Sequence, residues 1–161
     1  MDDRLEIAYV VGDATTPSDR PAVIAHICND LGRWGRGFVL AVSQRWPEPE
    51  QRYRDWYRDR DGNDFGLGAI QLVPVGEELW VANMIGQHGV RRAGGKAPIR
   101  YEALATALES LGVASLERDA SVHMPRIGTG LAGGSWEAIE PIVTRTLIDR
   151  GVATTVYDLP A

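Results

Sequence analysis

The stretch Met124-Pro-Arg-Ile-Gly-Thr-Gly-Leu-Ala-Gly-Gly-Ser-Trp136 constrains the fold of this chain more than any other. A short apolar run, Ser121 to Met124, reads as a strand; four glycines follow within seven residues, and then a helical pattern begins. Glycine lets the backbone turn sharply and leaves its N–H groups uncovered. A helix adds a partial positive charge at its first turn. Strand, glycine loop and helix start therefore predict a site for a phosphate or pyrophosphate. Gly128-x-Gly130-x-x-Gly133 also has the spacing of a dinucleotide-binding loop.

The rest of the chain shows where that loop sits. Leu5 to Val11 and the continuous apolar run Ala22 to Cys28 read as strands, the second covered on both faces. A helix is expected over Phe38 to Arg45, and a second one, started by Pro47 and Pro49, reaches Arg60. Gly66 to Val75 and Glu78 to Ile85 read as strands joined at Gly76-Glu77. Helices are expected over Tyr101 to Glu117 and Trp136 to Arg150, the latter closed by Gly151, with a last strand over Val152 to Tyr157. Interleaved strands and helices predict an α/β fold, a three-layer α/β/α sandwich with a mixed central sheet. With 161 residues and no linker or repeat, residues 1–161 read as one domain.

A second glycine cluster, Asn29-Asp-Leu-Gly32-Arg-Trp-Gly35-Arg-Gly37, also follows a buried-type strand and opens a helix. In open α/β sheets ligands bind at the carboxyl ends of strands, so the two loops are placed to share one elongated anion. A nicotinamide dehydrogenase fits poorly. Its glycine loop opens the domain, whereas only 28 residues follow Gly133 here. A P-loop is excluded because no Gly-Lys-Ser/Thr triplet occurs.

Composition narrows the function classes. A net charge of −5 argues against gripping nucleic acid by bulk charge. No apolar run approaches the length of a membrane span, and Met-Asp-Asp-Arg-Leu-Glu lacks the features of an export signal. With a single cysteine, Cys28, a cytoplasmic location is expected. His26, His88 and His123 have no ligand spacing, so neither a metal nor a cofactor is implied. His26 and Cys28 share a strand face, which raises a Cys–His nucleophile against an inert core thiol. Arg45 to Arg60 interleaves aromatics with arginines, but the intervening acids favour an amphipathic helix over a nucleic-acid surface. Arg91, Arg92 and Lys96 form a cationic loop, either solvated or in contact with a modified target.

Gly12-Asp13, Ala25-His26-Ile27-Cys28-Asn29 with Gly32, Gly35 and Gly37, Met124-Pro-Arg-Ile-Gly-Thr-Gly-Leu131 and Val156-Tyr157 occur in an order that resembles the macrodomain family. The resemblance covers nearly the whole chain. It points to the branch containing the chromatin-remodeller macrodomain and the terminal ADP-ribose protein glycohydrolase. It implies recognition of ADP-ribose, and often hydrolysis of its link to a target. The implied partners are ADP-ribose and ADP-ribosylated protein or nucleic-acid targets, with no membrane role.

Carried over by position, Asp13 with Ala14 would meet the adenine, and Tyr157 would stack on it. The stretch Ile127, Gly128, Thr129, Gly130, Leu131, Ala132 and Gly133 would wrap the diphosphate. Gly35, Gly37 and Phe38 would line the distal ribose and a phosphate. Asn29 would hold the distal ribose near its anomeric carbon. Gln87 and Ala132 stand where the glycohydrolase has its lysine and aspartate, and neither side chain can replace its counterpart. A water held near Asn29 and attacking the anomeric carbon is then the expected chemistry, with Asp30 or His88 as an assisting acid or base. Alternatives are a non-catalytic ADP-ribose reader and a phosphatase or deacylase acting on a free ADP-ribose derivative.

Overall fold

The computed structural model describes residues 5–160. The first four residues, part of the segment read above for an export signal, lie outside them. Six strands form the sheet: β1 (Ala8–Val11), β2 (Ala22–Asn29), β3 (Ile70–Gly76), β4 (Leu79–Gln87), β5 (Ser121–Pro125) and β6 (Thr154–Asp158). Their order is β1-β6-β5-β2-β4-β3. All neighbours run parallel except β3, which returns antiparallel to β4 after a tight turn. The sheet is thus mixed, as expected.

Alternation along β2 builds both covering layers. Val23 and Ala25 face one side, where they pack with Leu104, Leu108 and Leu111 of α3 (Tyr101–Glu117) and Ile139 and Val143 of α4 (Trp136–Thr146). Ala22, Ile24 and Cys28 face the other, against Val39 and Val42 of α1 (Phe38–Arg45) and Tyr53 and Trp56 of α2 (Glu48–Arg58). The aromatics of α2 are its buried stripe. Arg54 pairs with Glu50 and Arg58 with Asp55 on the outer side, so this is an amphipathic helix.

Element ends differ from the expectation by three residues or more in three places. β1 begins at Ala8 and lies fully exposed along the sheet edge. β3 begins at Ile70, because Gly66 to Ala69 form a turn in which Gly68 N–H bonds Ile85 O at 2.8 Å. Helix α4 stops at Thr146, where a tighter turn, Ile148–Arg150, buries Ile148 and ends on left-handed Gly151. These shifts leave the strand ends that matter in place: β2, β5 and β6 finish on one side of the sheet, each feeding the same hollow.

Candidate functional site

A cleft of about 670 Å³ opens at the carboxyl ends of the parallel strands. Gly12, Asp13 and Ala14 after β1 line it, with His26 and Ile27 of β2 and Arg36, Gly37, Phe38, Val39 and Ala41 around the start of α1. Gln87, Pro125 to Ala132, and Tyr157, Asp158 and Leu159 complete the lining. Expected residues Asp13, Ala14, Gly37, Phe38, Gln87, Ile127, Gly128, Thr129, Gly130, Leu131, Ala132 and Tyr157 are therefore brought together. Asn29, Asp30, Gly35, His88 and Gly133 are not among the lining residues.

The reason for Asn29 is its own loop. Its Oδ1 accepts the N–H groups of Leu31 (2.9 Å) and Arg33 (3.3 Å), and its Nδ2 donates to Arg33 O at 2.5 Å. The buried Tyr53 hydroxyl lies 2.6 Å from Asn29 O and 3.0 Å from Oδ1, donating between them. The amide thus takes part in folding the glycine loop, and among the described residues one of its two Nδ2 protons meets no acceptor. That loop ends on Gly37, at φ 82, which starts α1 with no side-chain cap and open space where a Cβ would stand. Among the described residues the N–H groups of Phe38 and Val39 meet no acceptor. The positive end of α1 therefore opens into the cleft.

The second loop is held from behind. A Cβ on Gly128, at φ 77, would come within 2.9 Å of the Cδ1 atoms of both Ile139 and Ile99, so only glycine lets the backbone lie on the core there. Gly134 N–H bonds Gly128 O (2.7 Å), Gly133 N–H bonds Gly130 O (3.0 Å), and Ile99 N–H bonds Ala132 O (2.9 Å). These bonds consume carbonyls. Among the described residues the N–H groups of Gly128 through Ala132 meet no acceptor, so a run of unspent donors borders the cleft. The helix start behind this loop contributes less than expected. Ser135 caps α4 by accepting from Ala138 N–H, and the first turn of α4 is not in the lining.

At the β1–β6 end, Asp13 Oδ1 accepts from Thr15 N–H (2.8 Å) and Thr15 Oγ1 (2.6 Å), and Arg45 lies 3.4 Å from Oδ2. Burial alone would raise this carboxyl, but the Thr15 hydrogen bonds and the Arg45 guanidinium outweigh it and hold it below its ordinary value. Tyr157 is steered from inside. Its hydroxyl bonds Nδ1 of buried His123 at 2.7 Å, and His123 Nε2 bonds Ser121 Oγ at 2.7 Å. Burial lowers the His123 pKa despite the Asp19 charge, so the neutral ring serves as a fixed bracket for Tyr157.

At the other end, Gln87 Nε2 donates to Gly89 O at 3.0 Å. Beside it, His88 Nδ1 lies 2.6 Å from Asp30 Oδ2, while Asp30 Oδ1 accepts Gly89 N–H at 2.8 Å. This carboxylate–histidine pair leaves the imidazole 60% exposed, next to the cleft rather than inside it.

Sequence reasoning did not place three groups in the lining. His26 is there, donating Nε2–H to Asn83 Oδ1 at 2.6 Å; Asn83 uses its own amide protons on Pro49 O and Gln71 Oε1, which fixes that polarity. Burial pushes the His26 pKa down to about 4 and raises that of the Cys28 thiol, so the two form an inert core pair rather than a nucleophile. Arg36, on the first loop, is the second. Arg126 is the third, forked onto Asp158 at 2.7 and 3.0 Å. No spacing signal marks any of them: the partners of His26 and Arg126 are distant in sequence, and Arg36 forms no ion pair among the described residues.

Other proteins share this fold and much of this sequence. The solved structure of a macrodomain protein from Streptomyces coelicolor is 57% identical, with a TM-score of 0.85 over 95% of this chain and 99% of its own. A protein of unknown function from Bacteroides thetaiotaomicron is 52% identical, with a TM-score of 0.93 over 96% of this chain and 99% of its own. Among curated relatives, chromodomain-helicase-DNA-binding protein 1-like of Mus musculus is 34% identical over 98% of this chain. This chain spans only 18% of that protein's length and 16% of the Danio rerio protein of the same name. An ADP-ribose 1''-phosphate phosphatase of Lodderomyces elongisporus is 24% identical over 88% of this chain and 92% of its own. No protein-family model matches the chain.

Proposed function

Because the chain belongs to the macrodomain family, we propose that it acts as one unit that binds ADP-ribose along the cleft and removes it from modified targets by hydrolysis at the anomeric carbon. One observation carries this reading: an open helix start at Gly37 and a row of bare N–H groups from Gly128 to Ala132 line the same cleft. A diphosphate has two anionic centres and takes donors from both. Asp13 then accepts from the adenine amine, Tyr157 stacks on the ring, and the distal ribose lies toward Gln87. In the cytoplasm, the buried Cys28 stays a reduced core residue.

The hydrolytic step uses the pair beside Gln87. Asp30 accepts Nδ1–H of His88 and leaves the lone pair on Nε2. A water oxygen bonds to the anomeric carbon while its proton passes to His88 Nε2. The bond from that carbon to the target oxygen breaks, and its electron pair leaves on a target carboxylate. Ala132 offers no functional group and Gln87 only a poor nucleophile, so the route has no covalent adduct. A second reading is favoured by the yeast relative's name: the same water attacks the phosphorus of a phosphorylated ADP-ribose.

Calorimetry with ADP-ribose, AMP and NAD tests the site, and the absence of heat with ADP-ribose sinks the reading. Incubation with targets modified at glutamate, arginine, serine or DNA, and with ADP-ribose phosphate, then identifies the reaction. Binding without any release leaves a reader and overturns the hydrolase. His88→Ala is expected to slow release about 10²–10⁴-fold while ADP-ribose affinity stays unchanged.

A further inference from the structure

Two cationic segments leave one point beside the cleft. Asp30 bonds both His88 and Gly89 N–H, tying the first glycine loop to the chain that follows β4. Arg33 and Arg36 lie on the first segment and Arg91, Arg92 and Lys96 on the second, all exposed. Among the described residues none of the five forms an ion pair. The second segment is a built hairpin. Ala93 and Lys96 exchange two backbone hydrogen bonds of 3.0 Å across Gly94-Gly95, and Arg92 donates to Gly95 O at 2.6 Å. Ala97 at its base packs against Gly133 of the second glycine loop. Asp30 is the only acid from Asn29 to Gly37, and none occurs from Gly86 to Arg100. On a chain of net charge −5, this rim has the opposite sign to the rest.

We infer that the rim receives an acidic peptide, the carboxylate-rich stretch flanking the ADP-ribosylated residue of a protein target, with Arg91, Arg92 and Lys96 as its principal contacts. The inference rests on the proposed reading of the cleft, in which the distal ribose and the target bonded to it emerge near Gln87. Guanidinium forks pair with carboxylates in two-point contacts. A peptide fits better than a nucleic acid. No exposed Phe, Tyr or Trp stands on either segment for a base to stack on, because Trp34 is buried with its indole N–H directed to Val39 O and Ser43 Oγ. The acidic remainder of the surface repels a long polyanion, whereas a short peptide meets only the rim.

The test measures displacement of a fluorescent ADP-ribose derivative by peptides carrying one ADP-ribosyl group and differing only in their flanks: glutamate, glutamine or lysine. An ADP-ribosylated oligonucleotide is the fourth competitor. At low salt the glutamate-flanked peptide is expected to bind about tenfold more tightly than the glutamine-flanked one. The variant R91E/R92E/K96E should invert that order and R91Q/R92Q/K96Q should erase it, with free ADP-ribose bound as by the native protein. Equal affinity for all three flanks, or tighter binding of the oligonucleotide than of the glutamate-flanked peptide, overturns the inference. If free ADP-ribose itself does not bind, the cleft reading fails and the inference falls with it; if it binds while the flanks make no difference, the inference alone fails.

Discussion

The two glycine loops reach the same cleft by opposite means. The first is folded by side chains: the Asn29 amide spans it and the Tyr53 hydroxyl pins it from the core. Its offering to a ligand is the uncapped start of α1. The second is folded by missing side chains, since Gly128 lies against Ile99 and Ile139 where a Cβ would collide. Its offering is a row of backbone donors, while the helix behind it is capped by Ser135. Positive potential therefore comes from a helix end on one side and from a curved backbone on the other. The first depends on hydrogen bonds that a mutation can remove, the second on space that a mutation can fill.

The comparison can be broken most severely at Gly128. Gly128→Val adds about 1–3 kcal/mol of backbone strain together with the clash against two isoleucines. ADP-ribose affinity should fall by about a hundredfold or more, with a lower melting temperature, both read by calorimetry. Asn29→Ala leaves Leu31 N–H, Arg33 N–H and Arg33 O without their partner, at about 1–3 kcal/mol, while the Tyr53 hydroxyl keeps the main-chain oxygen of residue 29. It should loosen the first loop and lower thermal stability, with the melting temperature restored in part by high ligand concentration. Unchanged stability and full turnover would show that the amide does not hold the loop. Gly37→Asp puts a carboxylate at the open end of α1. Affinity for ADP-ribose should drop about tenfold, with a lower melting temperature because a side chain at φ 82 is strained, and an undiminished affinity would remove the helix end from the site. Ser135→Ala is the mildest. It should cost about 1 kcal/mol of stability and leave affinity unaltered, because α4 starts behind the loop rather than at it.

Much of the fold was legible because its signals are local. The continuous apolar run of β2, the two strand runs of β3 and β4 about their turn and the leucine stripe of α3 each determine one element by themselves. The boundaries that moved, at Gly66 to Ala69 and after Thr146, are set by tertiary hydrogen bonds and burial, which periodicity does not register. The same divide runs through the site. Glycine spacing located both loops, since positive φ and bare N–H groups follow from the residue itself. How Asn29 spends its amide, how Asp30 meets His88 58 positions away, and why His26 reaches the cleft wall all depend on distant partners. Asn29 shows the limit most clearly. The resemblance puts it beside a sugar, whereas its bonds to Leu31, Arg33 and Tyr53 depend on how the loop folds and no spacing reveals them.

His26 also has an optical consequence. Its ring stands edge-on to the buried Trp34 indole, with centroids 5.4 Å apart, while the other side of the residue borders the cleft. Trp34 is in turn 5.6 Å from Tyr53, the residue that clasps the first loop. The chain thus carries a buried emitter one ring behind its cleft wall. Filling the cleft changes the polarity that Trp34 senses through that single imidazole, so occupancy can be followed by native emission with no dye attached, and Trp34→Phe supplies the blank.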